Sequence, residues 1–395
     1  MSYALFQNKS WFNNLPDHWK LKTFNEIVRD VTGGNEKVKK EEYLEKGLHP
    51  VVDQGKKLIA GYTNKESLVN VEGPCIVFGD HTRIFKYVDF KFVLGADGVK
   101  VLIPKVENIL EKYLYYYFLT LAIPDTGYNR HFKFLKEVII PIPSLEEQKK
   151  IVAVLDKAQA LIEKRKETIA KLDELIQAVF IDMFGDPIKN PRSYEVVQLN
   201  ELISFLTSGS RGWAKYFSKE GEMFITIKNV KNGQLQLRDI TYVNAPIGKE
   251  SERTKVKEGD LLISITADLG RTAVINKDVA SRGAYINQHL SLIRLNQKCN
   301  PRYISSYLES VGGKRQFESL NQTGVKSGLN FAAIKSLKIV LPPLEKQDRY
   351  DAFYRKYLLE KENMITSLAM LEENFNALLQ RLVTGDIEIN TEVTA

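Results

Sequence analysis

The sequence predicts an α+β protein built as a tandem duplication, each copy a β-rich domain followed by one long amphipathic helix. Three observations carry this prediction. Between Ser144 and Gly185 the residues Ile151, Val154, Ala158, Leu161, Leu172, Leu175 and Val179 fall at intervals built from threes and fours, which is one apolar seam on a helix. A second seam, Ile365, Leu368, Leu371, Phe375, Leu378 and Leu382, lies in the stretch 344–386. The domain start Asn25-Glu26-Ile27-Val28 recurs as Asn200-Glu201-Leu202-Ile203, with Trp19 answered by Tyr194 and Pro16 by Pro191.

The bulk numbers set limits. A chain of 395 residues can hold two or three domains with real cores. Its 44% apolar content argues against wholesale disorder. The absence of a long apolar run and of a signal pattern predicts a soluble cytoplasmic protein with no membrane association. Cys75 and Cys299 match no metal-ligand spacing, so buried reduced thiols are expected. A net charge of +7 and a pI near 9.0 are compatible with a polyanionic partner.

In chain order, residues 1–143 form the first β-rich domain. Trp11 and Phe12 in its leading segment pack on that domain or on a partner. Trp19 and Leu21, then Phe24, Ile27 and Val28, predict a short strand feeding a short helix that ends near Gly33. From there short apolar runs alternate with Gly, Pro and Asp turns, as in HPVVDQG, PCIVFGDHTRIFKYVDF and VKVLIP. NILEKYLYYYFLT interrupts them as a helix, with Leu110, Leu114, Tyr117 and Phe118 on its buried face. The tyrosine run reads as core packing or as a base-stacking platform, with packing favoured.

Ser144 followed by Glu147 is a capping-box start for the helix 144–185, and Gly185 is its stop. The helix would be roughly 60 Å long at 1.5 Å rise per residue. Residues 186–343 repeat the domain: TGYNRHFKFLKEVIIPIPSLEEQ (126–148) is answered by TGVKSGLNFAAIKSLKIVLPPLEKQ (323–347). The second helix spans 344–386, and 387–395 is a loose tail. Two long helices, each lacking a core of its own, are expected to bury their seams against each other, and an antiparallel pairing would place the domains at opposite ends. The alternative is that each helix packs on its own domain.

Chemistry-bearing motifs are scarce. The chain has no P-loop and no strand–GxGxxG–helix fingerprint. Its five histidines show no i,i+4 metal pairing, and NPRSY at 190–194 begins like an adenine-methyltransferase motif but has Arg-Ser where that motif needs proline. Polar and basic residues cluster instead on loops between strands. In the first domain these are His81, Thr82 and Arg83, which form a recognition loop or an ordinary hairpin turn, and Arg130, His131 and Lys133. In the second they are Arg211, Trp213, Lys215, Lys228, Asn229, Arg271, Tyr285, Asn287, Gln288, His289, Lys326 and Ser327. Such side chains can donate to phosphates or base edges, and the two domains differ most in these loops.

This layout resembles the specificity (S) subunit of type I restriction-modification systems over essentially the whole chain. The match rests on IPSLEEQKKIVAVLDKA and LPPLEKQ at the helix starts, FGD and TGD at their ends, and the repeated starts at Trp19 and Tyr194. The second copy departs from the first where DRYDAFYRK replaces KKIVAVLDK. The resemblance implies a non-catalytic protein that reads a bipartite site in double-stranded DNA. Each domain, a target-recognition domain, would read one half-site, and pseudo-twofold-related helices, paired as an antiparallel coiled coil, would set the spacer. It also implies two modification subunits that methylate adenine N6 with S-adenosylmethionine, and restriction subunits that use ATP and Mg. None of these cofactors would bind this chain. A stand-alone enzyme on nucleic acid and a coiled-coil scaffold without a DNA role remain the alternatives.

Overall fold

The structure, a computed structural model, describes residues 15–95, 97–322 and 328–387. Trp11, Phe12 and nearly all of the tail lie outside the described residues. The chain divides into two compact units, 1–167 with 365–395 and 168–364. Each long helix contributes one half to each unit.

The first unit runs β1 (Lys20–Thr23), α1 (Phe24–Ile27), β2 (Val28–Asp30), β3 (His49–Val52), β4 (Gly61–Thr63), β5 (Cys75–Gly79), β6 (Phe85–Val88), β7 (Val93–Leu94), β8 (Val99–Pro104), α2 (Glu111–Leu119), α3 (Phe132–Leu135), β9 (Ile139–Ile142) and the first half of α4 (Leu145–Phe184). Its main sheet has the order β2-β8-β5-β6, a second has the order β4-β3-β7, and β1 pairs with β9. The run CIVFG of β5 is buried at every position, and its alternate residues serve different cores. Ile76 and Phe78 face the core shared with α2 and α4, whereas Cys75 and Val77 face the β-rich side. The start of the domain differs from expectation. The helix after Trp19 is a single turn, because Val28 pairs with Pro104 and continues as strand.

The second unit repeats this plan as β10 (Glu195–Gln198), β11 (Ile203–Ser208), β12 (Phe217–Ser218), β13 (Glu222–Ile225), β14 (Val230–Lys231), β15 (Gln234–Leu235), β16 (Thr241–Val243), α5 (Lys249–Thr254), β17 (Leu261–Ser264), β18 (Thr272–Val274), α6 (Lys277–Arg282), β19 (Ala284–Ile286), β20 (Leu290–Leu295), α7 (Pro301–Glu309), α8 (Val311–Gln322), α9 (Phe331–Lys335), β21 (Lys338–Leu341) and α10 (Leu344–Val383). The order β11-β20-β17-β18 matches β2-β8-β5-β6, and β10 pairs with β21 as β1 does with β9. The parallel pair β13–β19 matches the parallel pair β3–β7.

The duplication extends to buried hydrogen bonds. Tyr113 Oη donates to Pro141 O at 2.7 Å, and Tyr303 Oη donates to Val340 O at 2.5 Å. Gln148, wholly buried, accepts from Leu110 N and donates to the carbonyls of Asn108 and Pro143. Gln347, also wholly buried, accepts from Asn300 N and donates to Pro342 O. In both copies a glutamine three residues inside the long helix ties that helix to the segment just before an earlier helix, α2 in the first copy and α7 in the second. The tyrosine run is core: Tyr113, Tyr116 and Tyr117 are all buried.

The helices pair as expected and also pack on the domains. In the first unit Ile151, Leu155 and Ile162 of α4 share a core with Phe375, Leu379 and Leu382 of α10. In the second, Ile176, Phe180 and Phe184 share one with Tyr350, Tyr354 and Tyr357. The start of each helix thus meets the end of the other, which is antiparallel pairing. Three seam positions are corrected. Leu161, Leu175 and Ile365 are 55%, 49% and 49% exposed, and Ile162 and Ile176 are buried instead. Neighbouring residues on a helix point about 100° apart, so a seam drawn one residue early puts leucine on the wrong side of the stripe. Val154, Ala158, Leu172, Val179, Leu368, Leu371 and Leu378 are half-buried against the cores.

Candidate nucleic-acid interface

In the first unit four connections converge at one edge of the domain. Gln54, just after β3, accepts from His81 N through Oε1 (3.3 Å), accepts from Thr82 Oγ1 through its carbonyl (2.5 Å), and donates to Asp97 O (3.1 Å). Asp80 N donates to Gly98 O at 2.6 Å, which joins the β5–β6 loop to the β7–β8 loop. Gly98 has φ +82°, and a Cβ there would stand 2.6 Å from His81 Cδ2, so conformation and space both require glycine. The fourth connection, 120–131, is bolted on by His131. That ring is wholly buried. Its Nδ1–H donates to Asp80 O at 2.8 Å, and its Nε2 accepts from Thr126 Oγ1 at 3.2 Å. Asp80 Oδ1 in turn accepts from Phe132 N at 2.6 Å.

The two basic loops singled out in the first domain therefore form one surface. His131 is corrected from a recognition residue to a structural one, because a wholly buried ring with both nitrogens engaged cannot reach a ligand. Arg83 is largely committed as well. It sits in the left-handed region at φ 62°, and its guanidinium donates to Asp125 at 2.7 Å. The Gly127 amide and then Arg83 hold the Asp125 carboxyl below its ordinary range. The exposed groups are Thr82, Arg130, Lys133, Tyr128 and Asn129, with His81 half-buried.

The second unit uses the corresponding connections. Asn287 N donates to Ile225 O, Ile265 N to His289 O, Leu329 N to Ile265 O and Gln288 N to Ser210 O, at 2.8–3.1 Å. Gly209 lies against the Asn287 backbone so closely that a Cβ would meet its carbonyl at 2.0 Å. The Gln288 amide donates to His289 Nε2 (3.2 Å), which leaves Nδ1–H to donate to Thr266 Oγ1 (2.8 Å). Arg211, Lys215 and Lys228 are exposed, and Gln288, His289 and Arg271 are half-buried. The Arg271 guanidinium is paired to Asp268 at 2.5 Å.

Four candidates in this unit are corrected. Trp213 is 3% exposed, stacks on Phe224 at 5.7 Å and donates its indole N–H to Glu250. Tyr285 is buried beside it, and its hydroxyl donates to Glu222. Burial and then the Glu222 charge push the Tyr285 hydroxyl pKa up. Asn229 is buried, its amide donating to Gln236 O while its Oδ1 accepts from Thr226 N. Asn287 is buried, with Oδ1 accepting from His289 N. Tryptophan and tyrosine next to a glycine-rich turn look alike in sequence whether they point out or in; here the sheet above the turn offers them a core. Lys326 and Ser327 lie outside the described residues.

Tyr128 and Gln54 were not anticipated. Gln54 carries no local signal, but Tyr128 follows a turn glycine, which is a usable one. Among the described residues no group of three or more His, Cys, Asp or Glu is placed to hold a metal ion, and no helix is long and apolar enough to cross a membrane.

Comparison with known proteins agrees with this organisation. The family model described as type I restriction modification DNA specificity domain matches twice, at residues 16–174 and 191–363. The EcoR124I/EcoR124II specificity subunit of Escherichia coli is 33% identical over 333 residues, 79% of this chain and 80% of the relative. The MjaVIII specificity subunit of Methanocaldococcus jannaschii is 21% identical over 95% of this chain and 94% of its own length. Among solved structures, the S subunit from M. genitalium superposes with a TM-score of 0.56 at 16% identity, covering 97% of this chain and 99% of that one. At that identity the likeness speaks for the fold.

Proposed function

This chain belongs to the type I restriction modification DNA specificity family, and we propose that it reads a bipartite DNA site for a restriction-modification complex. Each unit presents one loop surface to one half-site, and the helix pair sets the unread spacer. The observation that carries this reading is the contrast between scaffold and loops. Strand order, pairing and the buried tyrosine and glutamine bonds repeat between the copies. The exposed loop side chains do not: Thr82, Tyr128, Arg130 and Lys133 in one copy stand against Arg211, Lys215 and Lys228 in the other. A repeated frame with differing polar loops suits two half-sites of different sequence.

The chain performs no covalent chemistry in this proposal. It acts in the cytoplasm with two modification subunits, which carry S-adenosylmethionine and methylate adenine N6, and with restriction subunits that carry ATP and Mg. A target adenine must leave the base stack for methylation, so this chain's role is to place the duplex against a neighbour's active site. The outward faces of α4 and α10 are the docking surface. Exposed Leu161, Leu175, Leu359 and Met370 supply apolar contact there.

The test is to exchange residues 15–143 for another recognition domain, reconstitute the complex with its modification subunits and map methylated adenines. One half of the methylated site should change and the other half and spacer should persist. If both halves change, or the complex binds DNA without sequence preference, the proposal fails.

A further inference from the structure

We infer that Tyr128 is the specificity-determining contact of the first unit, reading a base edge of that unit's half-site in the major groove. The inference rests on the proposed DNA-reading function and names one residue within it. Tyr128 is 89% exposed, the most exposed tyrosine or phenylalanine among the described large apolar side chains. A ring left in water is often without a packing partner, and this one has one. It stacks on His81 with centroids 4.7 Å apart and planes within 7° of parallel. His81 is itself held: its backbone N–H donates to Gln54, and its Nδ1–H donates to Asn129 O at 3.2 Å. The turn that carries Tyr128 is closed by the Gly127 amide donating to Asp125 and by the buried His131 beneath it.

The result is a preorganised aromatic with one face covered and its other face, edge and hydroxyl presented outward. A tyrosine has few torsions to freeze, so little entropy is lost when it makes a contact, which is why rigid aromatics dominate binding energy at interfaces. An apolar face beside a hydroxyl fits a major-groove base edge, where a thymine methyl and polar acceptors lie together. Exposed Arg130, two residues on, supplies charge for the adjoining phosphate. The repeat supports the assignment independently. Thr126-Gly127 recurs as Thr323-Gly324, yet the next residue is Tyr128 in one copy and Val325 in the other. The dipeptide recurs in the sequence and the residue after it is exchanged.

The experiment uses the complex reconstituted with its modification subunits, containing wild type, Tyr128→Ala or Tyr128→Phe. Methylated adenines are mapped, and affinity is measured for a duplex carrying the wild-type site. Tyr128→Ala should weaken binding about tenfold, in the range of one lost base contact. It should also relax a single position of the first half-site and leave the second half-site and spacer intact. Tyr128→Phe should stay within about threefold of wild type, since the ring remains. The inference is overturned if Tyr128→Ala keeps both the affinity and the motif while wild type reads a bipartite site, or if the second half-site changes instead. If wild type itself reads no bipartite site, the proposed function falls and takes this inference with it.

Discussion

Substitution of Gln148 by methionine tests whether the glutamine clamp holds each long helix to its domain. The side chain is wholly buried and makes three hydrogen bonds, from Leu110 N (2.9 Å) and to the carbonyls of Asn108 (3.0 Å) and Pro143 (3.1 Å). Methionine keeps the length and volume but makes none of them. Each bond contributes about 1 kcal/mol net, and the amide of Leu110 is left without its acceptor in a half-buried site. The expected cost is about 3 kcal/mol. Gln347 makes two such bonds, so Gln347→Met should cost about 2 kcal/mol. Because a two-unit chain need not unfold in one step, a single midpoint would blur the comparison. Hydrogen–deuterium exchange read separately over β5 and β8 and over β17 and β20 resolves it. Gln148→Met should speed exchange in the first pair by about two orders of magnitude and leave the second nearly unchanged, with Gln347→Met doing the reverse more weakly. Exchange unchanged in β5 and β8, or both units loosening equally from either substitution, would refute the clamp.

Other outcomes follow from the same geometry. Burial raises the Glu147 carboxyl pKa, but hydrogen bonds from Ser144, His18 and Trp19 outweigh it and bring the pKa to about 2 from an ordinary 4.5. A depressed folded pKa means the stabilisation is complete above about 4.5 and is lost as pH falls toward 2, so Glu147→Gln should flatten the acid limb of a stability–pH profile there. Burial pushes the Cys75 and Cys299 thiols up to about 12, so neither should react with a thiol reagent at neutral pH until denaturant is added. Fast labelling of native protein would contradict the packing around either. DNA binding by the complex should weaken steeply with salt, and Arg130→Ala with Lys133→Ala should each reduce the log–log slope by about 1 if they contact phosphate. An unchanged slope would remove them from the interface.

What was legible in the sequence depended on periodicity. The long helices, their pairing and the duplication follow from residue spacing and from repeated segments such as Asn25–Val28 and Asn200–Ile203, whereas the antiparallel direction comes from the family resemblance. A three-and-four pattern and a repeat need no knowledge of the surroundings. The seam was misplaced by one residue at Leu161 and Leu175 because leucine and isoleucine are adjacent in both places, and only the domain packed on α4 decides which is covered. The site was less legible. Chemistry alone placed His81 and His131 together as polar loop residues, yet one is half-buried beside Tyr128 and the other is wholly enclosed. Trp213, Tyr285, Asn229 and Asn287 failed as surface candidates for the same reason. A loop residue's direction is set by the strand pairing behind it, which lies tens of residues away in the chain.

The two halves of the helix pair use one frame with different side chains, and the difference bears on which helices can pair. Counting from Gln148 and Gln347, Ile151 corresponds to Tyr350, Leu155 to Tyr354, Ala158 to Tyr357 and Ile162 to Lys361. The first unit's half is accordingly aliphatic around Ile151, Leu155 and Leu379. The second is aromatic, with Phe180 and Phe184 each edge-on to Tyr350 at 5.5 Å. It also carries a polar cluster in which Tyr357 Oη and Lys361 Nζ both donate to Asp173, at 2.6 and 2.5 Å. If α4 paired antiparallel with α4 of a second copy in the same register, Asp173 would face Ile162 in place of Lys361, and Phe180 and Phe184 would meet Ile151 in place of Tyr350. The first exchange leaves a half-exposed carboxylate without its partner, which costs about 1 kcal/mol. The second leaves unfilled volume in a packed core, which costs more. Each mismatch occurs twice in such a symmetric pair. Divergence between the copies therefore does more than vary the loops. It favours α4 with α10 of the same chain over pairing between copies.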